Sequence, residues 1–182
     1  MANPASYFSE KSQLRRSLKR RLIELSPLDR ERRSRIICAN LAVALADKTN
    51  IGLFAPKETE PNLDLLWEMG FVKNRLIAYP RCEGDELQFF SISEIRDLRI
   101  GKFGIREPAA IRRVCELDSI ILPGLAFTQD GVRLGHGTGF YDRFLQTRHG
   151  KLLKIGVCFD FQIVPAIPQE IHDVNIDLLV YA

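Results

Sequence analysis

A chain of 182 residues, 46% hydrophobic and 27% charged, has the apolar content of one ordinary soluble domain with its own core. A formal net charge of +3 is too small to argue by itself for a nucleic-acid partner, and the longest apolar runs fall short of the roughly 20 residues of a membrane span. The opening residues 1–16 contain no apolar h-region, so the sequence predicts no secretory signal and a cytoplasmic protein.

Leu14, Leu18, Leu22 and Leu25 recur at helical spacing and predict a first helix with its basic residues on the other face. Ser26, Pro27 and Asp29 then read as the N-cap, first-turn proline and capping-box acid of a second helix. Its buried side would carry Ile37, Leu41, Ala44 and Leu45. Beyond residue 50 the period shortens. The apolar run 51–56, closed by Pro56, predicts a buried strand, and 62–70 a helix stopped by Gly70. Residues 75–81 and the more exposed 86–92 read as strands, as do 118–124, 154–159 and 176–182, with a helix over 141–150. Alternating strand and helix predicts an α/β protein, with a mostly parallel sheet flanked by helices and two helices at its N-terminus. Cys38, Cys82, Cys115 and Cys158 are far apart without a CxxC pair, which predicts buried free thiols rather than a zinc or redox site.

The chemistry concentrates in RLGHGTGFYDRFL, residues 133–145. Glycines between a strand-like run and a helix let backbone N–H groups approach a ligand closely, and the helix start favours negative charge. Together they predict an anion cradle, most naturally for phosphate. Arg133 adds a fixed charge with a planar fork, and Asp142 offers oxygen ligands to magnesium. No GK[ST] follows the glycines, and Phe140 stands where GxGxxG has its last glycine, so neither a Walker loop nor a Rossmann fingerprint is matched. A tight structural turn is the plainer alternative for the same glycines.

Residues 122–145, LPGLAFTQDGVRLGHGTGFYDRFL, closely resemble the signature of the 5-formyltetrahydrofolate cyclo-ligase (methenyltetrahydrofolate synthetase) family. Similar blocks follow in family order over nearly the whole chain: KSQLRR from 11, ETEPNLDLL from 58, YPR from 79, GKFGIREP from 101 and HDVNIDLLV from 172. The resemblance implies one domain over 1–182, with a fold near those of sugar-phosphate isomerases and CoA transferases. It also implies conversion of 5-formyltetrahydrofolate and ATP, with magnesium, to 5,10-methenyltetrahydrofolate, ADP and phosphate. Phosphorylating the formyl oxygen makes its carbon open to attack by N10, so the protein supplies positioning and charge rather than a covalent residue. The sequence has no GxSxG elbow and no cysteine in an activating context, in keeping with that.

Residue by residue, Lys11 and Arg15 resemble the family's N-terminal ATP contacts. Arg133, Leu134, Gly135, His136, Gly137, Thr138, Gly139, Phe140 and Tyr141 resemble its phosphate loop, with Arg133 stabilising charge. Residues 136–140 of that loop would also touch the folate, together with Glu60 and the aromatic Phe103. Asp142 and Asp173 resemble the magnesium-associated pair. Arg16, Lys19, Arg20 and Arg21 are assigned to a solvated helix face, and His172 to the surface or a cap. A surface position is the alternative for Glu60, and core packing for Phe103. His136, Thr138 and Phe140 depart from the usual pattern and bear on substrate contacts. The partners implied are small molecules acting on a monomer, without nucleic acid or membrane. Two rival functions share these residues: a paralogue taking ATP and a different formylated or pterin-like compound, and a non-catalytic module binding RNA through its basic helices.

Overall fold

The computed structural model describes residues 4–109, 112–148 and 151–182. Two helices open the chain, α1 (Pro4–Glu24) and α2 (Pro27–Ala44). The Ser26 hydroxyl accepts the Asp29 N–H at 3.1 Å and donates to the Asp29 carboxylate, so the acid closes this turn through the hydroxyl. There follow β1 (Asn50–Gly52), α3 (Leu65–Glu68), β2 (Leu76–Glu83), β3 (Glu86–Ile92), β4 (Leu98–Ile100), β5 (Arg106–Pro108) and β6 (Arg113–Val114). The chain continues through β7 (Ser119–Leu122), β8 (Ala126–Phe127), β9 (Arg133–Leu134), α4 (Phe140–Gln146), β10 (Leu153–Cys158) and β11 (Leu178–Tyr181).

The main sheet has the order β11-β10-β7-β1-β2-β3-β6. Every pairing from β11 to β2 is parallel, and β3 and β6 add an antiparallel edge. This is the mostly parallel α/β sheet expected from the alternation. Its central strands β7 and β10 are largely apolar because both faces are covered. In β7 and β10 the side chains alternate: Ile121, Ile155 and Val157 pack with Ile37 and Leu41 of α2 and with Leu45, which caps its C-terminus. Ile120, Leu122 and Cys158 face the other way, onto Phe127 and Phe144. A third small cluster sets Leu18 of α1 on Ala126, Val132, Leu134 and Ile167, which seats α1 over the β8–β9 ribbon.

Several expectations need correction. The run 51–56 is a strand only through Gly52; Leu53 still donates to the Ala78 carbonyl at 2.8 Å, and the rest turns into a cavity wall. The helix expected over 62–70 is a single turn, because the Asn62 side chain caps the Asp64 N–H at 3.1 Å and delays the helix start. The helix expected over 141–150 ends at Gln146, and residues 149 and 150 lie outside the described ones. Cys38 and Cys158 are buried, and burial pushes both thiols up to about 12. Cys115 is exposed, against expectation, because it follows the short edge strand β6 instead of lying in a core strand. No helix among the described residues is long and apolar enough to cross a membrane.

Candidate active site

A cavity of about 570 Å³ opens where the chain leaves the carboxyl ends of β1 and β7. In a parallel sheet this is the usual place for a ligand crevice. Lys11 and Arg15 come from α1, Glu60 from the loop after β1, and Phe103 from the tip between β4 and β5. Residues 133–141 form one wall, with Asp142 from α4 and Asp173 from the segment before β11. Every site residue singled out from the sequence lines this one cavity.

Lys11 is only 6% exposed. Its Nζ donates to Glu170 Oε1 at 2.9 Å and to Asp173 Oδ2 at 2.8 Å. Burial opposes its charge, but these hydrogen bonds outweigh burial and raise its pKa. Burial likewise opposes the charge on Asp173, which Lys11 and the Glu170 N–H nevertheless hold below the usual carboxylate range. One helical turn on, Arg15 Nε donates to the Gly135 carbonyl at 3.0 Å and pins α1 to the glycine loop.

Arg133 is buried. Its Nη2 donates to Asp142 Oδ1 at 2.8 Å and its Nη1 to the Pro123 carbonyl at 3.2 Å, while Nε has no partner among the described residues. The loop then turns through Gly137 (φ 104°) and Gly139 (φ 67°), conformations that side-chain-bearing residues rarely adopt. Two features differ from the expected strand–loop–helix cradle. The strand before the loop, β9, belongs to a two-stranded ribbon outside the main sheet. The helix after it spans only 7 residues, so anion binding here rests on loop N–H groups and side-chain cations more than on a long helix dipole.

Glu60 is 8% exposed and not a surface residue. Its Oε2 accepts the Lys57 N–H at 2.9 Å, and its Oε1 lies 3.7 Å from His136 Nε2. Burial raises the Glu60 pKa. Burial also depresses His136, helped by Lys57, Lys19, Arg133 and Arg15, to about 4. His136 is thus neutral near pH 7, and its 3.7 Å approach to Glu60 is neither an ion pair nor a hydrogen bond. Phe103 is 63% exposed, which rules out core packing. It has a left-handed backbone (φ 61°), and its ring centroid is 6.3 Å from that of Phe140.

The structure adds residues that the sequence reading left out. Lys19, assigned to a solvated face, also lines the cavity. Lys11, Arg15 and Lys19 stand at i, i+4 and i+8, a stripe visible in the sequence. Lys57, Glu170 and His172 line it too, and carried no comparable signal. His172 is exposed, as expected, with Nε2 3.1 Å from Glu170 Oε2.

Asp142 and Asp173 supply the hard oxygen donors that magnesium prefers, and each has one oxygen bound to a cation, Arg133 or Lys11. No group of three ligating side chains occurs among the described residues. Such a donor set fits an ion held partly by a substrate's phosphates, not a metal held by protein alone.

A family model described as the 5-formyltetrahydrofolate cyclo-ligase family matches residues 8–182. A Mus musculus protein described as 5-formyltetrahydrofolate cyclo-ligase is 30% identical over 190 residues, covering 95% of this chain and 94% of its own. An NMR structure of Aquifex aeolicus 5,10-methenyltetrahydrofolate synthetase superposes with a TM-score of 0.84 at 34% identity, covering 94% of this chain and 89% of that one. A Mycoplasma pneumoniae 5,10-methenyltetrahydrofolate synthetase, at 23% identity and TM-score 0.77 over 93% of this chain and 97% of its own, shares the fold.

Proposed function

The chain belongs to the 5-formyltetrahydrofolate cyclo-ligase family, and from that premise we propose that its cavity cyclises 5-formyltetrahydrofolate to 5,10-methenyltetrahydrofolate, converting ATP to ADP and phosphate. One observation carries the reading. Lys11, Arg15, Glu60, the glycine loop, Asp142 and Asp173, far apart in sequence, line a single cavity.

A formamide carbonyl is a weak electrophile because its nitrogen donates into it. In the proposed reaction the formyl oxygen attacks the γ-phosphorus of ATP, forming a P–O bond as the bond to ADP breaks. N10 then attacks the activated carbon and loses its proton to solvent, and the C–O bond breaks to release phosphate. The protein's part is positioning and charge stabilisation. N–H groups of the loop 135–139, with Lys11 and Arg15, would orient the phosphates, and the buried Arg133 would set a fixed positive field beneath them. Glu60 would accept N–H donors of the pterin, with Phe103 and Phe140 against its ring. Asp142 and Asp173 would hold magnesium, which when bound supplies charge neutralisation at the phosphate oxygens. The proposal extends to one domain over 1–182 and to a cytoplasmic monomer acting on small molecules, without nucleic-acid or membrane partners.

The test is to mix purified protein with 5-formyltetrahydrofolate, magnesium and ATP and follow the near-UV absorbance of the methenyl product. Product should form, and omission of ATP should abolish it. Absence of product, or full-rate formation without nucleotide, would overturn the reading.

A further inference from the structure

Glu170 lines the cavity, yet neither the glycine loop, the folate contacts nor the magnesium pair uses it. It shares a turn with Asp173: the Asp173 N–H donates to the Glu170 carbonyl at 3.0 Å, and the Glu170 N–H to Asp173 Oδ2 at 2.9 Å. The turn sets two carboxylates on one ammonium, since Lys11 Nζ donates to Glu170 Oε1 at 2.9 Å and to Asp173 Oδ2 at 2.8 Å. The two acids are not equivalent. Both contacts of the Asp173 carboxylate fall on Oδ2, and its Oδ1 has no partner among the described residues. Asp142 repeats that pattern, with Arg133 and the Val174 N–H both on Oδ1. Glu170 has neither oxygen to spare: Lys11 holds Oε1, and His172 Nε2 lies 3.1 Å from Oε2.

We propose that Glu170 is a positioning residue that holds the Lys11 ammonium when Asp173 is drawn to magnesium, so that both cations serve the ATP phosphates together. The inference rests on the cyclo-ligase reading and adds a residue to that same site. A carboxylate shared between an ammonium and a divalent ion is contested, because the two cations repel each other. Lys11 is buried, and a buried ammonium without an anion is costly, so with Asp173 as its one partner it would resist the metal. A second carboxylate removes the conflict. Glu170 keeps Lys11 paired and in place, which leaves Asp173 free to turn to the ion. It acts through Lys11 and not on the ligand.

The experiment measures ATP affinity by equilibrium titration, with and without magnesium, for the parent, Glu170→Gln, Glu170→Asp, Lys11→Met and the Lys11→Met/Glu170→Gln double variant. The Glu170 side chain is 44% exposed, so its variants should fold, and thermal melts check this. In Glu170→Gln the strengthening of ATP binding by magnesium should shrink about fivefold, with magnesium-free binding no weaker than the parent's. Glu170→Asp keeps the charge but withdraws the oxygen from Lys11, and should lose nearly as much. In the Lys11→Met background Glu170→Gln should change nothing, since residues that act as a unit are non-additive. An equal loss with and without magnesium would mean that Glu170 supports the fold, and full retention by Glu170→Asp would assign the effect to charge alone. Either overturns the proposal. The same loss in the Lys11→Met background would make Glu170 a magnesium ligand in its own right and overturns it too. A parent that forms the methenyl product while the Glu170 variants match it in every titration defeats the positioning role alone. A parent that binds no ATP under either condition defeats the cyclo-ligase reading and the positioning role with it.

Discussion

Lys11 in the first helix and Asp173 before the last strand meet at 2.8 Å across 162 positions of sequence. The contact ties α1 to the C-terminal segment and sets a cation and a carboxylate side by side at the cavity. ATP and magnesium would compete for this pair, the phosphates drawing on Lys11 and the metal on Asp173.

Asp173→Asn should destabilise the ligand-free protein at neutral pH by about 1–2 kcal/mol, since Lys11 keeps Glu170 as a partner. The folded pKa of Asp173 is lowered, so its contribution is present above the ordinary 3.8 and is lost as pH falls through the lower folded value. The folded pKa of Lys11 is raised, so its contribution is present below 10.5 and is lost as pH rises through the higher folded value. The gap in Tm between parent and variant should be widest between those limits and close in acid. A gap unchanged into strong acid would assign the loss to packing.

Asp142→Asn should cost about 2–4 kcal/mol, because it leaves the guanidinium of Arg133, 3% exposed, without its charged partner. Both Asp142→Asn and Asp173→Asn should also lower turnover and raise the magnesium concentration needed for half-maximal rate. Magnesium titrations of activity, run beside thermal melts without ATP, separate metal binding from stability. Unchanged magnesium dependence in both variants would remove these residues from the metal site.

Gly137→Val should abolish nucleotide binding. A Cβ at this position would lie 3.7 Å from the Arg15 Cζ, an ordinary contact, so the difficulty is the φ of 104° and not space. Forcing a β-branched residue there strains or refolds the loop by about 1–3 kcal/mol and turns its N–H groups away from the cavity. Gly137→Ala should show the same effect more weakly. ATP titrations with melts as a folding control check this, and normal ATP binding by a well-folded Val variant would rule out the cradle.

Glu60→Gln should raise KM for the folate and leave KM for ATP nearly unchanged, because one acceptor becomes a donor facing the pterin. Stability should move the other way. Burial raises the folded pKa of Glu60 above 4.5, so its ionisation costs the protein stability as pH rises through that folded value. The variant should melt higher than the parent at neutral pH, an advantage that disappears below pH 4.5. Equal shifts in both KM values would mean that the residue supports the fold.

What the sequence determined was local and periodic. The spacing of Leu14, Leu18, Leu22 and Leu25, the Ser26–Pro27 cap, and the largely apolar runs of β7 and β10 follow from covalent geometry and burial on both faces, which a single stretch of chain records. The glycines at 135, 137 and 139 are likewise a local record of a backbone that must turn tightly. The tertiary structure decided what no stretch records alone: which remote groups share a low-dielectric space. That Phe103 stands at the rim and not in the core depends on a left-handed turn at the β4–β5 tip. That Lys11 is buried against Asp173, while Lys19 two turns along the same stripe is exposed and has no ion pair among the described residues, depends on what packs opposite each. Periodicity places a charge on a helix face, but only the fold brings its partner within about 3 Å, where desolvation and pairing set its energy.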